Sequence, residues 1–227
     1  MPAPISIIIP TLNAAEDLPL CLDSLIPGLE AGLIRELIVA DGGSTDATVA
    51  IAEGTGADVA MSESGRARQL VAGAKKARGD WLLFLHADTA LSRDWAERVA
   101  SHLNERPAKA ATFTLAFRSD HPMAKRVASR ANRRARWLGL PYGDQGLLIS
   151  RTLYDEIGGF EDVPLMEDVR IVQAIGKARL SFLSAEARTS AAKYDRDGWR
   201  KRSWHNAWLI TRYLLGASPE KLARLYR

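Results

Sequence analysis

Three clusters in this sequence carry residue types that could do chemistry. The run Asp41-Gly42-Gly43-Ser44-Thr45-Asp46 has two glycines free to take positive φ, followed by residues that can cap a helix. It can therefore turn backbone N–H groups and a carboxylate toward an anionic ligand. It serves equally as a tight strand-to-helix turn with Thr45 or Asp46 as the cap. His86-Ala87-Asp88 follows the apolar run Trp81-Leu82-Leu83-Phe84-Leu85. A carboxylate there can hold a hard divalent cation, which prefers oxygen ligands and takes the remainder from phosphate and water. Glu167-Asp168 opens a stretch whose apolar residues, Val169, Ile171, Val172 and Ile175, suit a helix. Adjacent helical residues point about 100° apart, so only one of these acids can aim at a given reacting hydroxyl. The plainer alternative is that both favour the helix N-terminus electrostatically.

The elements that must position these clusters are legible in the first half. Apolar runs at residues 5–9, 36–40, 57–61 and 81–85 read as strands. Helices are expected at about residues 15–28, 47–54, 65–77 and 93–105. Near-continuous hydrophobic strands alternating with helices imply an α/β fold with a mostly parallel sheet covered on both faces. Ligands bind such sheets beyond the carboxyl ends of the strands. Pro10-Thr11-Leu12-Asn13, the Asp41–Asp46 run and His86-Ala87-Asp88-Thr89 should then share one rim. After Pro107 the pattern changes to an alternating stretch, Ala111 to Phe117, and a basic helical stretch reaching Trp137. Gly143-Asp144-Gln145-Gly146 and a short strand, Leu147 to Ile149, follow. With no Gly-, Pro- or Ser-rich linker, this half is expected to complete the same sheet rather than stand alone.

A chain of 227 residues with 47% hydrophobic and 26% charged residues is ordinary globular composition, which argues against disorder, collagen-like repetition and a coiled coil. Its apolar runs fall far short of the roughly 20 residues a membrane-spanning helix needs, and the N-terminus lacks the basic region of a signal peptide. A lone Cys21 among leucines suits a buried small hydrophobe and a reducing compartment, so a cytoplasmic location is expected. The formal net charge of +4 is unevenly spread, with basic blocks between Arg118 and Arg136 and between Lys193 and Arg212. The first is either a solvated face or a site for a phosphorylated or lipid acceptor. In the second, Trp204, Trp208 and Arg212 are four apart, so the helix either lies in a membrane interface or packs its aromatics on the domain. No nucleic-acid-binding motif accompanies it, and none is expected as a partner.

The ordered set Ile8-Ile9-Pro10-Thr11-Leu12-Asn13, the Asp41–Asp46 run, Gly65-Arg66-Ala67-Arg68-Gln69, Phe84 to Thr89, Gly143 to Gly146 and Met166-Glu167-Asp168 resembles glycosyltransferase family 2. Within that family it is similar to a small group of radical-SAM/selenodomain-associated transferases. The resemblance runs from Ile5 to the Pro219–Tyr226 tail. It implies one GT-A, Rossmann-like domain over residues 1–227 with a mixed sheet flanked by helices. Residues 1–106 would bind nucleotide, 107–192 would serve the acceptor, and 193–227 would form basic, aromatic helices.

For the site, the resemblance implies that Asp41 and the segment Thr11, Asn13 and Glu16 hold the base and ribose, with Arg66 nearby. Asp46 is left structural. Asp88 becomes the ligand of Mg²⁺ or Mn²⁺, although His86 stands where relatives carry the first Asp of the metal motif. Asp168 becomes the general base, Glu167 orients the acceptor, and Gln145 belongs to the acceptor loop. Ala192 replaces an arginine that relatives direct at the leaving diphosphate, so that task falls to Lys193 or Arg188. The expected activity is inverting transfer, by a hexosyltransferase-like enzyme, from a nucleotide-diphosphate sugar such as a UDP-sugar. The acceptor is a small or lipid-linked hydroxyl compound, with the inner membrane face as a candidate surface. A binding protein or inactive homologue is the competing class. A sugar nucleotidyltransferase lacks its Gly-rich signature here, because residues 10–16 contain no glycine, and a haloacid-dehalogenase-type phosphatase would need Asp at His86.

Overall fold

The strands of the first half carry apolar residues at nearly every position, so each must be covered on both faces, and period-two geometry decides which face each side chain takes. In the computed structural model, which describes residues 3–226, Ile8, Ile38, Leu82 and Phe84 join one core, while Ile7, Ile9, Val39 and Leu83 join the other across the sheet. The elements in chain order are β1 (Ile5–Thr11), α1 (Leu18–Asp23), α2 (Ile26–Glu30), β2 (Ile34–Asp41), α3 (Thr48–Gly54), β3 (Asp58–Met61), α4 (Arg66–Lys76) and β4 (Trp81–Phe84). Next come β5 (Thr89–Leu91), α5 (Trp95–Glu105), β6 (Ala110–Arg118), α6 (Pro122–Leu138), β7 (Leu147–Ser150) and α7 (Arg151–Glu156). The last are α8 (Glu167–Ile175), β8 (Leu180–Ser190), α9 (Ala192–Asp197), α10 (Trp199–Leu214) and α11 (Pro219–Tyr226).

One mixed sheet of eight strands runs through both halves in the order β3-β2-β1-β4-β7-β6-β8-β5. The β3-β2-β1-β4 half is wholly parallel. β7 then pairs antiparallel with β4 and β6, and β6 pairs parallel with β8. The fold is therefore the α/β, mostly parallel arrangement expected.

Two departures have clear causes. The helix expected over residues 15–28 is broken into α1 and α2, with Pro19 and Pro27 in their first turns. A proline has no N–H to continue the preceding helix and suits the start of the next. Gly28 in α2 leaves room for the Trp95 indole, which lies 2.2 Å from where a Cβ would sit. The second departure is β8, which the sequence reading did not anticipate. Its run Leu-Ser-Phe-Leu-Ser-Ala-Glu-Ala-Arg-Thr-Ser is poor in β-branched residues, yet it buries alternate positions between β6 and β5.

Candidate active site

Asp88 lies just past β4 and just before β5, and that short strand fixes it. Thr89 pairs with Thr189, which brings Ser190 N–H within 2.9 Å of the Asp88 carbonyl oxygen. The Arg118 guanidinium donates to the same carbonyl at 3.1 Å. The carboxylate Oδ1 accepts only long bonds from the hydroxyls of Thr89 and Thr189, at 3.3 and 3.4 Å, so it remains available to a ligand.

Asp168 is held more tightly. Its Oδ2 accepts from Gly143 N–H at 2.9 Å, and its Oδ1 accepts from Val169 N–H at 2.8 Å in the first turn of α8. Met166 precedes α8 in the left-handed region at φ 68°, a conformation that costs a non-glycine residue about 1–3 kcal/mol and that tends to collect at functional sites. Gly143 is required by close approach, since a Cβ there would lie 2.6 Å from His86 Nε2. Asp168, Gly143 and His86 therefore pack as a unit.

These groups face one cavity of about 150 Å³, whose wall also includes Arg66, Tyr142, Asp144, Lys193, Arg202 and Tyr226. Arg66 opens α4 and is ion-paired to Glu167. Loss of hydration would lower its pKa, but Glu167 and Asp168 more than offset this and push it up. Burial and the neighbouring Arg66 drive the His86 pKa down to about 4, so its imidazole is neutral near pH 7. Burial raises the Asp144 pKa to about 6 against the pull of Arg134, and its Oδ1 has no hydrogen-bond partner among the described residues.

The donor set suits a hard cation that shares its coordination with a substrate. Asp88 and the orphaned Asp144 oxygen could supply carboxylate ligands, and neutral His86 a lone pair. Among the described residues no three His, Cys, Asp or Glu side chains cluster tightly enough to hold a metal alone. Diphosphate and water oxygens would have to complete its shell.

The expected rim divides in two. Only the end of β4 reaches the cavity. Asp41 is instead consumed within the scaffold: its oxygens accept from Gly43 N–H, Ser44 N–H, the Thr11 hydroxyl and the Ser44 hydroxyl at 2.6 to 2.9 Å. Asn13, with φ 50°, accepts from Thr45 N–H and donates its own N–H to the Ser44 hydroxyl. Asp46 accepts from Thr48 N–H and Ala15 N–H, which fits its assignment as structural. Glu16 is exposed on the loop after β1. Glu167 is buried at 2% exposure, ion-paired to Arg66, and does not line this cavity, so it bears on the cavity through that arginine. Gln145 is buried and donates to the Phe113 carbonyl at 3.0 Å, away from the cavity.

Of the two cations expected near a diphosphate, Lys193 lines the cavity, whereas Arg188 pairs with Glu186 and does not. The sequence reading gave no site role to Asp144 or Tyr142, and it named the basic block holding Arg134 and the helices of residues 193–227 without bringing them to the cavity. Asp144 lay inside a quoted motif, and its acidity beside two glycines was the available signal. The α10 wall had no local signal, because its aromatic residues split between faces: Trp199 is buried, while Trp204 and Trp208 are 77% and 42% exposed. No helix of the described residues is long and apolar enough to cross a membrane.

Residues 6–161 match the sequence model described as Glycosyl transferase family 2. A PGL/p-HBAD biosynthesis glycosyltransferase of Mycobacterium bovis (strain BCG / Pasteur 1173P2) is 40% identical over 114 residues, covering 46% of this chain and 44% of that protein. The corresponding protein of Mycobacterium tuberculosis (strain ATCC 25618 / H37Rv) matches at the same identity and coverage. The match thus spans less than half the length of these curated relatives. Residues 1–349 of S. aureus TarS superpose with a TM-score of 0.64 at 19% identity, over 82% of this chain and 60% of that one. Glucosyl-3-phosphoglycerate synthase from Mycobacterium tuberculosis, in complex with Mn²⁺, UDP and glucosyl-3-phosphoglycerate, superposes with a TM-score of 0.59 at 21% identity, over 81% and 70%. These structures share the fold.

Proposed function

The chain belongs to glycosyl transferase family 2, and from that premise we propose that it transfers a sugar from a UDP-sugar to an acceptor hydroxyl with inversion at the anomeric carbon. The observation that carries this reading is the Asp168 carboxylate, held by two backbone N–H groups and facing the same cavity as Asp88, Arg66 and Lys193. The choice of UDP is supported by neighbours of the same fold, TarS in complex with UDP-GlcNAc and glucosyl-3-phosphoglycerate synthase with Mn²⁺ and UDP.

In the reaction the acceptor oxygen forms a bond to the anomeric carbon as the bond from that carbon to the diphosphate breaks. The nucleoside diphosphate leaves with the electron pair. Asp168 takes the acceptor hydroxyl proton; its backbone donors fix the carboxylate while leaving lone pairs on both oxygens for the incoming proton. Arg66 and Lys193 meet the charge growing on the leaving phosphates, and Glu167 keeps Arg66 in place. Neutral His86 adds no like charge to them. A divalent cation held by Asp88, with Asp144 at hand, supplies further stabilisation of that leaving charge when bound. No second carboxylate nucleophile is needed, which suits a single displacement. Exposed Trp208 with Arg212 stacked 4.8 Å over its ring supports peripheral contact with an anionic membrane face from the cytoplasmic side.

Thermal unfolding with UDP, GDP, CMP and dTDP, each with and without Mn²⁺, tests the reading. A ligand at about 100 times its Kd adds about 2.7 kcal/mol of stability. The expected result is a Mn²⁺-dependent shift with UDP that disappears in Asp88→Ala. A folded protein that shifts with none of them overturns it.

A further inference from the structure

A second cavity, of about 360 Å³, lies between α6 and α10. The two cavities share Tyr142, Asp144, Tyr194, Asn206 and Ile210 in their walls, so they adjoin there. Apolar surface lines one side of the second cavity, from Leu115, Val127, Ala131 and Ile210, and Trp204 stands beside them. The polar side is unusual. Arg134 Nη2, Ser203 Oγ and Asp144 Oδ1 are all buried and all lack a hydrogen-bond partner among the described residues.

Arg134 is built into this wall rather than free to swing out. Its Nε donates to the Leu140 carbonyl at 3.0 Å, and its guanidinium lies 3.4 Å over the Tyr142 ring. The other basic residues of α6, Lys125, Arg126, Arg130, Arg133 and Arg136, are exposed, and of these Arg130 also borders the cavity, so Arg134 is the cation held in its wall. Arg134 and Asp144 are not within ion-pair distance among the described residues. A fixed guanidinium with one nitrogen unpartnered, beside an unpartnered hydroxyl and an apolar wall, is complementary to a molecule with an anion at one end and an apolar body.

We propose that the cavity between α6 and α10 is the acceptor subsite, and that it selects an acceptor bearing an anionic group, held by Arg134 and Ser203, on an apolar body packed against Trp204. This rests on the transferase reading for the word acceptor, but the binding itself does not. The acceptor would extend past Tyr142 and Asp144 so that its hydroxyl reaches Asp168.

Isothermal titration of the whole protein with phenyl phosphate, phenol and inorganic phosphate, in the presence of saturating UDP and Mg²⁺, tests it. Phenyl phosphate should bind at least tenfold more tightly than either fragment. Arg134→Gln should weaken it tenfold or more, Ser203→Ala about threefold, and Trp204→Ala should weaken phenyl phosphate while leaving inorganic phosphate unchanged. UDP affinity should stay within twofold in every variant. Arg134→Lys, which keeps the charge but not the fork, should recover part of the loss. If Arg134→Gln does not fold, Ser203→Ala and Trp204→Ala decide the matter. Equal affinity in folded variants, absence of phenyl phosphate binding, or its displacement by UDP would each overturn the subsite. UDP failing to bind while phenyl phosphate follows this pattern would instead overturn the donor assignment and leave the anion site standing.

Discussion

The turn around Asp41 and the wall around Arg134 are both built from buried polar groups, and they treat those groups in opposite ways. Asp41 is wholly buried and accepts four hydrogen bonds from Thr11, Gly43 and Ser44. Around Arg134, by contrast, a guanidinium nitrogen, a serine hydroxyl and a carboxylate oxygen all go without partners. The pattern extends beyond these two places: among the described residues, every buried side-chain atom without a partner lies at Thr112 or later. Buried polar groups in native proteins are normally paired, so a local concentration of unpaired ones marks where a ligand or ordered water completes the structure. The Asp41 half of the comparison is finished scaffold; the Arg134 half is shaped around something else.

The sharpest way to break this comparison is at Asp168, where the two halves meet. Asp168→Asn should lower turnover by about 10²–10⁴, the usual contribution of a general base, while UDP affinity measured by titration changes less than twofold. Loss of both together would move Asp168 from chemistry to structure. Gly143→Ala comes next. Its methyl would meet His86 Nε2 at 2.6 Å, so His86 and the Gly143 N–H that holds Asp168 must shift. A displacement of this size should cost on the order of tenfold to a hundredfold in turnover, and overpacking should cost about 1–3 kcal/mol, read from steady-state kinetics and denaturant unfolding.

Asp41→Asn probes the finished half and should cost about 2 kcal/mol of stability, as charge-assisted bonds become neutral ones. Burial would raise the Asp41 pKa, but the bonds from Ser44, Thr11 and Gly43 outweigh it and hold the pKa below its ordinary 3.8. Its contribution is therefore present above pH 3.8 and lost as pH falls through the folded value. The gap in unfolding midpoint between wild type and Asp41→Asn should close on acidification below pH 3.8; a constant gap would mean that the carboxylate charge is immaterial. The smallest effect belongs to Arg68, whose pairs with Glu63 and Asp162 are exposed. Arg68→Ala should change stability by less than about 0.5 kcal/mol.

Legibility followed the same division. Strands β1 and β4 were visible because residues buried on both faces must be apolar throughout, β2 and the half-buried edge strand β3 because their apolar runs are bounded by polar and glycine residues, and the helices between them carry a matching period. β8 was hidden because its alternation uses alanine, serine and glutamate, whose types do not declare a strand. Within the site, Asp88 and Asp168 stood out as acids at element ends. The hydrogen-bond partners of Asp41 and Glu167 could not be read, since sequence tells nothing of which partner a carboxylate spends itself on. Asp41 is spent on its own turn and Glu167 on an arginine 101 residues away. The α10 and α11 wall was out of reach for a related reason: it is placed by contacts with α6 and α9 and by burial of Leu209, Ile210 and Leu222, partners that its own residues do not announce.

That wall has a consequence in time. Arg66 and Tyr226 line the same cavity, and Arg202 donates to the Tyr226 hydroxyl at 2.7 Å. A ribosome adding about 5–20 residues per second needs on the order of ten seconds to make the chain between Arg66 and Tyr226. From Phe84 onward all four strands of the parallel β3-β2-β1-β4 half have been made, while the far side of the cavity does not yet exist. A nascent chain thus carries one wall of the cavity open to water before it has an enclosed site, and the cavity closes only when the last helices dock.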